Sequence, residues 1–401
     1  MTRVPKCKAR IEPGPPDVML AATLVGLIAF GVVMVYSASA VYARNTFGDG
    51  YHFLIRQALF ALLAFAVLVI FTRVDISLLR RSTYPVLLTA VLLMIAVALG
   101  FGRSAGGATR WLDIGPVNVQ PAELAKLAMV MWLAYSLAKK AHRVRTFSIG
   151  FLPHVLVAGL LMLLCLAQPD FGSAVMIALL TFVVLFAAGA KAGYLLGCVL
   201  VAVPVGYAAI ASSPYRMRRI KAFLEPFQHR QGAGYQITES LMSFGSGGWT
   251  GVGLGDGREK LLFLPEAHTD FISAIIGEEL GFIGITLLCA AFAWVVLRGL
   301  RAAWRAQDEY AGYLAIGMTM FIGLQAFTNL AVAMGLLPTK GLALPFVSYG
   351  GSSLLVNAAA AGIILNTSRF GTSRAKEAPA LAKAKPRRRG TRLRTAGGGV
   401  R

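Results

Sequence analysis

The sequence predicts an all-α polytopic membrane protein with about ten transmembrane helices, both termini cytoplasmic, and a large extracytoplasmic loop between the seventh and eighth helices. Three observations lead there. Of the 401 residues, 57% are hydrophobic and only 14% charged, a composition that soluble domains do not reach. Apolar runs of spanning length recur at about 17–38, 54–72, 83–101, 121–138, 149–167, 171–190, 192–211, 271–299, 312–335 and 345–366. Basic residues also concentrate on alternate loops: Arg73, Arg80 and Arg81, then Lys139, Lys140, Arg143 and Arg145, then Arg298, Arg301 and Arg305. The opposite short loops carry little beyond Arg44, Arg103, Arg110 and Lys340. The positive-inside rule places the first set, and both termini, in the cytoplasm.

The first run follows Arg3, Lys6, Lys8 and Arg10 and has no small-residue cleavage site, so it reads as a retained span. Residues 1–16 form a cytoplasmic tail, 17–368 the transmembrane domain with its outer loop at 212–270, and 369–401 a basic cytoplasmic tail rich in Pro, Ala and Gly that reads as disordered. Eleven basic residues fall after Asn366. The net charge of +21 therefore points to the membrane surface rather than to nucleic acid. Cys7, Cys165, Cys198 and Cys289 sit in the tail or in apolar runs and suggest neither a disulfide framework nor a metal site.

This orientation puts three unusual segments outside: 102–123, 212–270 and 336–353. In the first, Trp111 with Arg110 and Asp113 reads as an interfacial aromatic with a solvated ion pair. Glu123 and Lys126, three apart on the fourth helix, share a face and can pair there; Lys126 can alternatively meet a phosphate or a carboxylate of the eighth helix. Asp170, between two apolar runs, reads as a helix cap. In the second segment, Pro214–Lys221 carries Arg216, Arg218, Arg219 and Lys221, which suits an interfacial amphipathic helix or a cradle for pyrophosphate. The Gly-rich stretch 245–255 lacks the context of a phosphate loop and reads as a flexible turn.

Five of the 18 acidic residues fall between Glu259 and Glu279. Glu266, His268 and Asp270 end the outer loop, and Glu278 and Glu279 enter the next helix. Carboxylates at membrane depth face a partner or a wet cavity, so one of these glutamates is expected to pair with Lys126. Asp270 reads either as a helix N-cap, a place Thr269 can also fill, or as a base at headgroup level. His268 reads as orienting the loop. Gln325 and Asn329, four apart, read as hydrogen-bonding glue between helices. Lys340 and Ser348 lie in the third outer segment, where Lys340 can reach a phosphate. No nucleophile triad, metal cluster or dinucleotide motif is evident. The remaining natural chemistry is transfer from a lipid diphosphate to a hydroxyl, with cations neutralising the leaving group and one carboxylate taking the proton.

Several of these segments together resemble the SEDS family (shape, elongation, division and sporulation): Met34–Ser39, Arg110–Asp113, Gln120–Lys126, Gln168–Gly172, Pro214–Arg216, Gly234–Gln236, Leu264–Phe271, Gly277–Gly281, and Leu337–Gly341 through Ser348–Ser353. The likeness runs in order across about residues 17–368. Ser273 and Leu262 depart from some relatives, and Pro265–Glu266–Ala267 and Pro338–Thr339–Lys340 look like the division branch rather than the elongation branch. The resemblance implies a peptidoglycan glycosyltransferase that polymerises lipid II and releases undecaprenyl diphosphate at the division septum of a bacterial inner membrane. It implies Asp270 as the base on the acceptor C4 hydroxyl and a dependence on Trp111. Arg110, Glu123, Lys126, Arg216, Arg219, Glu266, His268, Lys340 and Ser348 are candidates for substrate contact, and Asp170, Glu278 and Glu279 for structural ion pairing. The resemblance fixes no cofactor, and a divalent Mg or Mn ion can sit at the diphosphate. Implied partners are a class B penicillin-binding protein of the FtsI type and the regulators FtsQ, FtsL, FtsB and FtsN. A lipid II flippase, with Glu123, Lys126, Glu278 and Glu279 lining a polar path, is the alternative of a different class.

Overall fold

The computed structural model describes residues 14–105, 108–114, 117–232, 234–261 and 264–383. Residues 1–13 and 384–401, which hold most of the two expected tails, lie outside the described residues, as does Leu262. The chain is mainly helical. Its first three helices are α1 (Val18–Phe47), α2 (His52–Arg73) and α3 (Ile76–Ala96). A small sheet follows, then α4 (Pro121–Lys139), α5 (Leu152–Ala167), α6 (Phe171–Ala187) and α7 (Ala192–Ala211). The outer loop carries α8 (Pro214–Leu224) and α9 (Tyr235–Gly247), and the chain ends in α10 (Ile272–Trp304), α11 (Glu309–Ala333) and α12 (Gly351–Lys383). Each expected apolar run thus falls on a helix. Among the described residues, seven helical stretches are long and apolar enough to cross a membrane: Val18–Phe47, His52–Arg73, Ile76–Phe101, Phe147–Ala167, Ala192–Ala211, Ile272–Trp304 and Glu309–Ala333. Of the other three, α6 is only 17 residues long, and α4 carries Glu123 and Lys126.

Helix starts are set by side chains that satisfy the first free N–H groups. Asp17 accepts from Leu20, Asp75 from Ser77, Asp170 from Ser173 and Asp308 from Ala311, while Pro121 and Pro214 open α4 and α8. The helix α4 is the hub. It is buried all round except at Leu124, Tyr135, Ala138 and Lys139, and packs on α3, α5, α6, α11 and α12. By contrast α7 buries Leu195 alone, so its apolar surface suits lipid rather than a core. Gly14 and Arg369 are joined by a backbone hydrogen bond, which brings the start of α1 and the far part of α12 to one end of the bundle.

Two features depart from the all-helical expectation. Segment 103–119 forms a three-stranded antiparallel sheet, β1 (Arg103–Ala105), β2 (Ala108–Ile114) and β3 (Val117–Val119), with Trp111 opposite Arg103 and Leu112 opposite Val119. Backbone pairing in a Gly-containing stretch leaves little trace in side-chain periodicity. The Gly-rich segment is also not a free turn. It inserts into α10, where Gly281 (φ 65°, ψ −163°) breaks the helix. Val252 and Gly253 donate to the Glu278 and Glu279 carbonyls, and Phe282 and Ile283 donate to Gly248 and Trp249. A Cβ at Gly251 would drive into the Glu279 carbonyl. Only glycine allows this approach of two backbones.

Candidate active site

The outer-loop segment that leads into α10 turns at Glu266, which sits at φ 57° in the left-handed region. Its carbonyl accepts from the Thr269, Asp270 and Phe271 N–H groups, and Thr269 Oγ1 donates to its carboxylate at 2.8 Å. The N-cap of α10 is Phe271, with no side-chain cap. Asp270 and Thr269 therefore do not cap this helix. Among the described residues none donates to the Asp270 carboxylate, and the residue is half-buried. Its backbone carbonyl accepts from Asn329 Nδ2 at 2.8 Å, and the same Nδ2 donates to Leu342 O at 2.7 Å. Gly341 lies against the carboxylate, since a Cβ there would fall 2.8 Å from Oδ2. Crowding by protein, then the Glu266 charge, pushes the Asp270 carboxyl up to about 7, against the opposing pull of Arg110 and Arg219.

Four cations converge on this corner from three elements. Arg110 of β2 donates to the carbonyls of Gln168 and Pro169. Arg219 of α8 donates to Thr339 O at 3.0 Å. Arg216 of α8 and Lys340 both stand over the Phe171 ring at the start of α6, 5.6 and 4.4 Å from its centroid. Burial lowers the Lys340 ammonium to about 8, partly offset by the Asp170 charge. Asp170 itself is held by Ser173, whose Oγ donates to Oδ2 at 2.7 Å, so it is the cap the sequence suggested. Trp111 leaves the opposite face of β2 from Arg110, because successive strand residues alternate, and Asp113 pairs with Arg103 at 3.9 Å rather than with Arg110.

The remaining candidates divide sharply. Glu123 and Lys126 pair within α4 at 2.7 Å with both side chains buried, and Gln325 approaches the same Glu123 oxygen at 3.5 Å. The expectation that Lys126 meets Glu278 or Glu279 is therefore wrong. Those glutamates sit beside the folded-back outer loop: Glu279 pairs with Lys260 at 2.6 Å, and Glu278 Oε1 accepts from Arg258 N at 2.6 Å. Ser348 is buried, and its hydroxyl accepts from Leu344 N at 2.8 Å, so it closes a turn. His268 is packed among Tyr42, Phe53 and Tyr349, with ring centroids 5.7, 4.7 and 5.8 Å away, and its carbonyl accepts from Tyr349 N. Burial lowers its imidazole pKa, consistent with a packing role. Phe171, Lys260, Ser37 and Asn329 belong to these two regions without a sequence signal for it: Phe171 and Ser37 lie inside family-like segments, Asn329 reads as interhelical glue, and Lys260 carries no signal beyond its charge. No group of three or more His, Cys, Asp or Glu side chains that could hold a metal ion stands among the described residues.

Comparisons with known proteins bear on this corner. Residues 17–373 match the model of the cell cycle protein family that comprises FtsW, RodA and SpoVE. The probable peptidoglycan glycosyltransferase FtsW of Geobacter metallireducens is 47% identical over 353 residues, covering 88% of this chain and 94% of the relative. Its counterpart in Legionella pneumophila is 40% identical over 353 residues, covering 87% and 90%. Among solved structures, a chain from a work on the coordination of polymerization and crosslinking by a peptidoglycan synthase complex superposes with a TM-score of 0.75 at 27% identity, covering 89% of this chain and 98% of that one. The rod shape determining protein RodA of Thermus thermophilus gives 0.65 at 27% identity, covering 88% and 97%. The chain belongs to the FtsW/RodA/SpoVE family.

Proposed function

We propose that this protein is a peptidoglycan glycosyltransferase of the FtsW type, which polymerises lipid II into glycan strands in a bacterial inner membrane at the division septum. The observation that carries this reading is the state of Asp270: a half-buried residue whose carboxylate has no donor among the described residues, pushed up to about 7, in a corner lined by Arg110, Arg216, Arg219 and Lys340. A base must be unengaged and poised near the working pH. In the reaction, Asp270 takes the proton of the acceptor GlcNAc C4 hydroxyl as that oxygen bonds to C1 of the donor MurNAc. The C1–phosphate bond breaks, and undecaprenyl diphosphate leaves with the electron pair. Arg219 and Lys340, from α8 and the segment after α11, are placed to neutralise it, with Arg110 and Arg216 flanking.

Both termini are taken as cytoplasmic and this corner as extracytoplasmic, from the alternation of basic loops. A class B penicillin-binding protein is the proposed cross-linking partner, and FtsQ, FtsL, FtsB and FtsN the regulators. A flippase would need an open polar path, whereas Glu123, Lys126 and Glu279 are closed into ion pairs. The test is to supply purified lipid II to the protein together with its cognate penicillin-binding partner, the transpeptidase blocked. Glycan polymer is expected. Lipid II translocation in liposomes without polymer would overturn the reading.

A further inference from the structure

The two glutamates of α10 are not idle: apart from Ser37 of α1, their partners outside α10 lie on one loop segment, 252–260. Glu279 Oε1 accepts from Lys260 Nζ at 2.6 Å. Ser37 Oγ of α1 lies 2.7 and 2.8 Å from the two Glu279 oxygens and accepts from Lys260 Nζ at 3.1 Å. Glu278 Oε1 accepts from the N–H groups of Arg258 and Glu259, at 2.6 and 3.3 Å. The carbonyls of the same two glutamates accept from Val252 and Gly253. All four side chains are buried: Lys260 7%, Ser37 9%, Glu278 2% and Glu279 0% exposed. Thus two consecutive residues hold 252–253 through their backbone and 258–260 through their side chains. Ten residues beyond Lys260 the same strand of loop carries Asp270, whose carbonyl is tied by Asn329 to Leu342.

We propose that Glu278, Glu279, Lys260 and Ser37 form a positioning clamp that fixes the outer loop upstream of Asp270, so that the base is held from both sides. A buried ion pair returns little net stability compared with apolar packing, because both charges lose their hydration. Its use is register. An apolar contact tolerates a slip of the loop, whereas only one register places Lys260 on Glu279 and the Arg258 and Glu259 N–H groups on Glu278. None of these four groups is free to touch substrate. They act through Asp270, and fixing a reacting group to within an ångström is worth large factors in rate.

The proposal rests on the glycosyltransferase reading for its kinetic consequence but not for its structural one, so both are measured. The full-length protein with its penicillin-binding partner is compared as wild type, K260M, K260R, E279Q and S37A. Backbone hydrogen exchange over 258–270 is expected to rise about tenfold in K260M and E279Q, with α2 and α11 unchanged. In the same variants kcat for polymerisation is expected to fall on the order of ten- to a hundredfold with KM nearly constant. The acid limb of the pH–rate profile moves down as Asp270 gains water, and K260R restores most of the activity. Unchanged exchange at 258–270 and an unmoved acid limb in E279Q would overturn the clamp. If E279Q does not fold, S37A, which removes one hydroxyl, decides: smaller shifts in the same direction support the clamp, and none overturns it. A wild type that makes no polymer would sink the glycosyltransferase reading, while the exchange data would still report on the clamp.

Discussion

Two regions of this molecule hold carboxylates, and they hold them in opposite ways. In the bundle, Glu123 and Glu279 are buried and each is closed onto a lysine within 2.7 Å. At the loop corner, half-buried Asp270 lies among cations and has no donor on its carboxylate among the described residues. The first arrangement removes reactivity to hold a structure together. The second leaves a carboxylate crowded and without a donor among the described residues, and raises its proton affinity towards neutral pH. The contrast teaches that charge density along the chain does not identify the chemical group. What distinguishes Asp270 from Glu123 and Glu279 is that no lysine is closed onto its carboxylate among the described residues.

The contrast is sharpest in stability. Lys126→Ala leaves Glu123 buried without its cation, and removal of one partner of a buried pair costs about 3–5 kcal/mol. A large drop in thermal midpoint in detergent is expected, while unchanged melting would mean that the pair is hydrated. Asp270→Asn should behave in reverse. A folded-state pKa raised to about 7 from the ordinary carboxylate value of 3.8 makes the folded protein bind the extra proton, so stability is lost as pH rises through that window. At pH 8 the neutral Asn variant should melt at or above wild type.

Rate against pH is the next test. Below about 7 the Asp270 base is protonated, so polymerisation should fall about tenfold per pH unit. Above about 8 the Lys340 cation is lost, which gives a falling basic limb that Lys340→Arg should remove. A profile flat from pH 5 to 9 would contradict both assignments. A smaller effect is expected from Arg219→Ala. Loss of its charge lets the Asp270 pKa rise, moving the acid limb upward, and weakens diphosphate neutralisation by about tenfold in kcat/KM. The smallest effect belongs to Ser348→Ala, which removes one turn-closing acceptor and costs about 1–3 kcal/mol of stability, with activity retained. Strong loss of activity there at normal stability would return Ser348 to the site.

Much of this was legible in the sequence where the signal is local. Apolar runs gave the helices, Asp170 was recognisable as a cap between two runs, and the three-residue spacing of Glu123 and Lys126 gave the pair that forms. Illegible features were those made between distant segments. Lys260 meets Glu279 only because the outer loop folds back, and Gly281 admits that loop by breaking a helix that reads as continuous. The sheet around Trp111 is backbone pairing with no periodic pattern. Ser348 looked available because nothing local shows that Leu344 N–H occupies it. Asp270 lost its capping role for a similar reason: the turn at Glu266 moves the helix start to Phe271.

The central claim is that Asp270 is the base, and strand synthesis from purified lipid II by wild type and Asp270→Asn tests it most directly. Both are assayed with the cognate penicillin-binding partner, its transpeptidase blocked, after folding and complex formation are matched. The account predicts a loss of about a hundredfold or more in polymer from the Asn variant with assembly intact. Wild-type polymer from that variant would contradict it and move the search to Glu266.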